Sequence, residues 1–297
     1  MNNISGAGLV QSRKLLIVMS LLALYIIWGS TYLAMVFAMD SLPPFMMAAL
    51  RFGMAGLILY AWLRWRGQSA PSLKQWLGAA AVGTLLLAVG NAGVAYAEKT
   101  VSSGVAALGI ATVPIWMALF SGWWGHWPTR REWLGIAIGT IGVAVLSTGG
   151  AMQASPLGAA LIMLSAASWA FGSVWGKRLP MAAGSMASAS QMLAGGGVLV
   201  VVSLIMGEPW PQQLSAKTLY AMLYLVIFGS LIAYSAYLFL LHNVRPALAT
   251  SNTFVNPMVA LLLGAWLADE VIGPAEYMAL AIIVVGVLLV LPFERNK

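Results

Sequence analysis

The sequence predicts an all-α, polytopic membrane protein, and three observations carry that prediction. Apolar residues fill 61% of the 297 positions, whereas charged residues fill only 8%, against about 25% in a soluble domain. Mean hydropathy is +0.89. The apolar residues gather in ten runs of roughly 20, the length at which a helix rising ~1.5 Å per residue crosses a ~30 Å hydrocarbon core. A chain so poor in charge cannot cover a water-facing surface, so soluble globular, disordered and fibrous classes are excluded together.

The runs are 15–38, 44–63, 73–95, 102–123, 132–148, 157–176, 185–206, 217–239, 248–267 and 275–293. Turn signals mark the short linkers between them: Pro43-Pro44, Arg66-Gly67, Gly149-Gly150, Pro180, Pro209-Trp210-Pro211 and Gly273-Pro274. No linker has room for a soluble domain. The first run follows Arg13-Lys14 and exceeds the length of a signal-peptide core, which predicts an uncleaved first helix.

Charge gives the orientation. Of the fifteen Lys and Arg, twelve fall on one side of the alternating runs: Arg13, Lys14, Arg64, Arg66, Lys74, Arg130, Arg131, Lys177, Arg178, Arg245, Arg295 and Lys297. Only Lys99 and Lys217 lie on the other, together with Asp40, Glu98, Glu208, Asp269, Glu270 and Glu276. The positive-inside rule then places both termini in the cytoplasm. The net charge of +7 is thereby a topology signal, and nucleic acid is not needed to explain it. Trp62, Trp65, Trp76, Trp123, Trp124, Trp127 and Trp133 fall at the basic ends of the runs, as an interfacial aromatic belt does.

The chain also resembles itself at an offset of about 143 residues. Gly29-Ser30 falls on Gly172-Ser173, Ala106 on Ala249 and Pro114 on Pro257; Glu132-Trp133 falls on Glu276-Tyr277 and Gly142 on Gly286 at an offset of 144. With a local gap, Arg51 falls on Gln191 and Gly56 on Gly196. Two five-run repeats, 1–149 and 150–297, follow. Because five is odd, the second repeat enters the membrane inverted, a recurring plan of secondary transporters with a cavity at the repeat interface.

Reactive constellations are missing. The sequence contains no Cys, and so no disulfide, thiolate metal site or cysteine nucleophile. It has no phosphate-binding G-x-x-x-x-G-K-[ST] loop, no H-E-x-x-H and no G-x-S-x-G. His126 and His242 lie near basic helix ends. The reading is a non-enzyme with no metal and no cofactor, and nothing resembles a TVGYG channel filter.

Polar groups inside the runs are the site candidates. Arg51 is the one basic residue deep in a run, seven residues from Pro44. It needs a partner or water, and three roles are open: a structural ion pair with Asp40 or Glu98, snorkelling toward the outer headgroups, or a cation that meets a substrate carboxylate. Glu98 ends the third run and is the fallback proton carrier, since no carboxylate lies near a midplane. The uncharged set includes Trp28, Ser30, Thr31 and Tyr32 in run one, Asn91 and Tyr96 in run three, and Ser168, Trp169 and Ser173 in run six. It continues with Tyr234 and Tyr237 in run eight and Asn252, Thr253 and Asn256 in run nine. Buried Asn is costlier than Ser or Thr, and a mid-run Trp is no interface anchor, so both types either pack or line a cavity. Pro114 and Pro257 sit midway along runs four and nine, where each removes a hydrogen bond and frees the carbonyl four residues earlier. Gly135-x-x-x-Gly139 permits a close helix approach, within the chain or between chains.

Leu24-Tyr25-Ile26-Ile27-Trp28-Gly29-Ser30-Thr31-Tyr32, Leu50-Arg51-Phe52, Ala111-Thr112-Val113-Pro114, Ser168-Trp169-Ala170-Phe171-Gly172-Ser173 and Val255-Asn256-Pro257 together resemble the bacterial EamA-type branch of the drug/metabolite transporter superfamily. The resemblance covers essentially the whole chain. It implies a ten-helix, twofold-duplicated inner-membrane fold with a central cavity lined mainly by runs one, three, four, six, eight and nine. It further implies export of small metabolites, amino acids prominent among them. Trp28, Asn91, Tyr96, Trp169, Tyr234, Asn252 and Asn256 become the substrate-binding candidates, with Pro114 and Pro257 at gating breaks. The expected partners are the lipid bilayer and a small molecule, in a monomer or weak homo-oligomer. Export of hydrophobic cations and a channel-like pore are the alternatives.

Overall fold

A computed structural model describes residues 6–101, 103–147, 155–267 and 273–291, and every regular element among them is a helix. In chain order these are α1 (6–38), α2 (Pro44–Trp65), α3 (Leu73–Ala97), α4 (Ser103–Ile110), α5 (Val113–Trp123), α6 (Arg130–Ser147), α7 (Pro156–Trp175), α8 (Ser185–Ile205), α9 (Ala216–Asn243), α10 (Pro246–Ala249), α11 (Asn252–Leu267) and α12 (Pro274–Val290). Six of them are long and apolar enough to cross a bilayer by themselves, and Leu108–Trp123 and Tyr277–Val290 are shorter apolar stretches. The proposed junction of the two repeats at 149/150, like Asp269, Glu270, Glu294, Arg295 and Lys297, lies outside the described residues.

Local chemistry accounts for where the helices start. Pro44, Pro156, Pro246 and Pro274 occupy first turns, where a missing N–H costs nothing and the fixed φ is already helical. Ser72 caps α3 in a reciprocal box with Gln75, and Ser155 and Ser215 accept from Gly158 N and Thr218 N at 3.0 and 3.1 Å. The first turn of α2 is capped from afar: the Glu208 carboxylate accepts from Phe45 N at 3.0 Å and Met46 N at 2.7 Å.

Linkers meet linkers of the same charge class. On the basic face, Gln75 Nε2 donates to Met181 O, Arg13 Nε to Asn243 Oδ1 and Arg131 Nη2 to Leu288 O, while Arg245 pairs with Glu132. On the acidic face Glu208 holds α2, Ser215 Oγ donates to Asp40 Oδ2 at 3.3 Å, and Ser155 N donates to Thr100 O at 3.1 Å.

Two seams of small residues set the packing. α2 runs along α8, and α6 along α12. A Cβ on Gly56 would lie 2.7 Å from Leu193 N, and one on Gly196 2.8 Å from Gly53 N. In the second seam a Cβ on Gly286 would lie 2.6 Å from Gly139 N, and one on Gly135 2.8 Å from Gly286 O. The Gly135-x-x-x-Gly139 motif is thus spent inside the chain. Gly56 with Gly196, and Gly142 with Gly286, are the pairs that the sequence repeat superimposes, so each seam is built from equivalent positions of the two repeats.

Runs four and nine are each divided. The first break is at Ala111-Thr112, with Pro114 in the first turn of α5. The second is at Thr250-Ser251, six residues ahead of Pro257, which lies inside α11. Hydroxyls stabilise this earlier break: Thr250 Oγ1 donates to Pro246 O at 3.0 Å, Ser251 Oγ to Leu248 O at 2.7 Å and Thr253 Oγ1 to Thr250 O at 2.9 Å. Side-chain donors at carbonyls give the backbone an alternative to the helical ladder.

The seams predict a contrast between two glycines. Gly286→Leu drives a side chain into the Gly139 backbone and should lower stability by about 1–3 kcal/mol or more. Gly53→Ala, where a Cβ meets nothing within 4 Å, should be neutral or slightly stabilising, since Ala exceeds Gly in helix propensity. Melting of the two purified variants in detergent tests the difference.

Candidate functional site

Among the described residues, three helices change winding part-way along. π turns occupy Leu24–Trp28 in α1, Thr84–Ala92 in α3 and Leu225–Ile232 in α9. A π turn wedges in an extra residue and disturbs the ladder, and such turns are frequent at functional sites. Inside an apolar chain the released carbonyls need new donors, and side chains supply them. Ser30 Oγ donates to Ile27 O at 2.8 Å and Thr31 Oγ1 to Trp28 O at 2.7 Å. Ser168 Oγ and Ser165 Oγ of α7 donate to Leu85 O and Val89 O at 2.9 and 2.8 Å. Gly229 O of α9 accepts from two groups, Trp28 Nε1 at 3.1 Å and Arg51 Nη2 at 3.2 Å.

Two of these re-wound helices, α1 and α3, help to line a central cavity of about 90 Å³. Trp28, Thr31, Tyr32 and Met35 of α1 line it, with Arg51 of α2 and Gly90, Asn91 and Val94 of α3. Ile110 and Val113 flank the first helix break, Ser165 and Trp169 come from α7, and Thr250, Asn252, Thr253 and Asn256 surround the second break. Four lining atoms are buried without a hydrogen-bond partner: Arg51 Nη1 and the Oδ1 atoms of Asn91, Asn252 and Asn256. A buried polar atom left unpaired costs about 1–3 kcal/mol. Four such atoms share this one cavity.

A family model described as the EamA-like transporter family matches the chain twice, over residues 15–148 and 156–291. The chain belongs to the EamA-like transporter family. It is 48% identical over 272 residues, 91% of this chain and 89% of the relative, to the "Uncharacterized inner membrane transporter YedA" of Escherichia coli (strain K12). It is 27% identical over 278 residues to "Protein PecM" of Dickeya dadantii (strain 3937), covering 91% of this chain and 92% of that one. A crystal structure at 22% identity superposes with a TM-score of 0.74 over 94% of this chain and 97% of its own, a likeness of fold. The protein is therefore a multi-pass inner-membrane transporter of two-repeat architecture.

Within this EamA-like transporter, five of the seven substrate-binding candidates share the cavity: Trp28, Asn91, Trp169, Asn252 and Asn256. Tyr96 stands elsewhere, stacked on Phe45 at 5.3 Å with Lys99 Nζ 5.0 Å from its ring centre. Tyr234 is packed in the core and donates to Gln191 Oε1 at 2.6 Å. Neither residue lines the cavity. Run eight, which the family resemblance placed on the cavity wall, stands behind it, whereas run two reaches it through Arg51. Gly229 and Ser230, which hold Arg51, carry no sequence signal that separates them from neighbouring small residues. Pro114 and Pro257 lie two and six residues after the breaks that the cavity uses.

Trp28, Trp169 and Tyr237 form a closed aromatic cluster, with ring centroids 5.3–5.5 Å apart. Tyr237 is fully buried, accepts from Trp169 Nε1 at 2.8 Å and bonds Ser173 Oγ at 2.8 Å. Ser173, one turn beyond Trp169 in α7, lines a second space with Gln191, Leu238 and His242 that lies toward the basic face. One layer of aromatic side chains thus stands between the central cavity and the basic-face vestibule. At the opposite end a third pocket is lined by Asp40, Glu98, Lys99 and Trp210.

Tyr237→Phe keeps the ring but leaves the Trp169 N–H without its acceptor, while Ser173 Oγ keeps its bond to Trp169 O. The expected cost is about 1–3 kcal/mol, read as a lower melting temperature. Faster exchange of a fluorophore attached in the basic-face vestibule is expected alongside it as the wall loosens.

Proposed function

We propose that this transporter exports amino acids or similar small zwitterionic metabolites by alternating access. The reading includes ten spans as two inverted five-helix repeats with both termini in the cytoplasm, so that the basic-face vestibule is the cytoplasmic one. The observation that carries it is the central cavity itself. Unpaired amide oxygens of Asn91, Asn252 and Asn256 suit an ammonium group, and Trp28 and Trp169 offer faces and edges to a side chain. The aromatic layer gives the closed end of an alternating-access cycle, and the breaks at Ala111-Thr112 and Thr250-Ser251 give two places where half-helices can move.

Proteoliposomes loaded with neutral amino acids, nucleosides, sugars or cationic dyes test substrate and mechanism together. Saturable, trans-stimulated counterflow of amino acids is expected. Linear flux without trans-stimulation marks a pore, and dye exchange alone marks a drug exporter. Trp28→Ala and Trp169→Ala should lower amino-acid counterflow about tenfold or more by removing a stacking surface worth roughly 1 kcal/mol and opening the aromatic layer.

Glu98 lies just beyond α3, and burial pushes its carboxyl up to about 7. Above that pH it is charged at the acidic-face mouth; below it, neutral. A carboxylate-bearing substrate is repelled only by the charged form. Exchange from that face should therefore rise as pH falls through neutrality, and Glu98→Gln should hold it at the higher level on both sides of neutrality. An unchanged pH profile in that variant would exclude Glu98 from the step.

A further inference from the structure

The inference rests on the transport reading above and names the chemical group that the central site recognises. Arg51 is only 2% exposed, and its guanidinium is fixed on two sides. Nε donates to Ser230 Oγ at 2.9 Å and Nη2 to Gly229 O at 3.2 Å, while Cζ lies 4.8 Å from the Phe52 ring centre. Nη1 remains, buried, without a partner, on a residue that lines the cavity. Among the described residues, no Asp or Glu lines that cavity.

The acids expected as ion-pair partners are engaged or distant. Asp40 accepts from Ser215 Oγ, Glu208 caps α2, and Asp40 and Glu98 line the acidic-face pocket. Intramembrane cations are costly and are kept where they pair or serve a pathway. Among the described residues no acid pairs with Arg51, while the geometry that aims the cation is complete. Gly229 is part of that geometry: a Cβ there would stand 2.9 Å from Arg51 Nη2 and 3.0 Å from Thr31 Cγ2, so only glycine admits the guanidinium at this distance.

We propose that Arg51 Nη1 receives the carboxylate of the transported molecule, with Asn91, Asn252 and Asn256 Oδ1 accepting from its ammonium. The site then takes carboxylate-bearing solutes and rejects hydrophobic cations, which would bring a second positive charge beside Arg51 with no acid to offset either. Gly229 and Ser230 are positioning residues for the guanidinium. Chloride and inorganic phosphate share the anionic charge but not the fit to the amide oxygens.

The experiment compares wild type, Arg51→Lys, Arg51→Gln and Ser230→Ala as full-length protein in liposomes. Detergent melting curves verify the fold of each. The probes are neutral amino acids, the same amino acids as carboxamides, organic carboxylates without an amino group, chloride, and inorganic phosphate. Wild type should prefer each acid over its carboxamide by about 10- to 100-fold in KM, the range of a charge-assisted hydrogen bond. Arg51→Gln should abolish that preference, raising KM for the acids by far more than for their carboxamides. Ser230→Ala, which keeps the cation and loosens its aim, should raise KM for acids about 3- to 10-fold and not for carboxamides, and it decides the matter if the Gln variant does not fold. Arg51-dependent transport of simple carboxylates but of no amino acid sustains the Arg51 assignment and overturns the amino-acid reading. Equal handling of acids and carboxamides by wild type overturns the assignment. So does Arg51 dependence confined to chloride or phosphate, and so does transport of no carboxylate at all.

Discussion

The Gly229 carbonyl is the point on which the cavity depends. The π turn of α9 presents it, and two side chains from the first repeat converge on it, the indole of Trp28 and the guanidinium of Arg51. An apolar surround contains no water to satisfy backbone groups, so each carbonyl released by a π turn must find a donor on a neighbouring helix or one turn along its own. The cross-helix donors tie α1 and α2 to α9 and α7 to α3. The same bonds that repair the backbone orient Trp28 and Arg51, the residues of aromatic and charged chemistry. Anything that moves one of them alters the bond of the other through a shared acceptor.

Duplication and asymmetry are both needed. The seams α2–α8 and α6–α12 use equivalent glycines of the two repeats, and the π turns of α3 and α9 occupy equivalent runs. The site itself is lopsided. Arg51 corresponds to Gln191, which is occupied by the Tyr234 hydroxyl, so one repeat supplies a cation and the other a neutral amide. The π turn of α1 has no counterpart in α7. The repeats give two related halves, while the unequal residues make the cavity lopsided.

Much of the cavity is legible in the sequence. Trp28, Asn91, Trp169, Asn252 and Asn256 stand out in sequence because mid-run Trp and Asn are expensive unless they pack or line something, and all five meet in one cavity. Tyr96 and Tyr234 carried the same signal, yet one stacks at the acidic end and the other bonds Gln191. A tyrosine hydroxyl satisfied by a neighbour cannot be told in sequence from one facing a cavity. The helix breaks were signalled by proline but displaced from Pro257, because local hydroxyls, rather than the missing N–H alone, determine where the second helix yields.

Composition, run length and charge sidedness determined by themselves that this is a polytopic membrane protein, because those properties follow from solvation of each segment separately. The duplication and the family were equally a matter of residues in order. Only the tertiary structure decided that Arg51 has no acidic partner among the described residues, that π turns rather than prolines shape the cavity wall, and that Tyr237 completes the aromatic layer. These depend on which helices stand beside one another and at what depth, and a hydrogen bond between residues about 180 or 200 positions apart leaves no periodic trace in either segment.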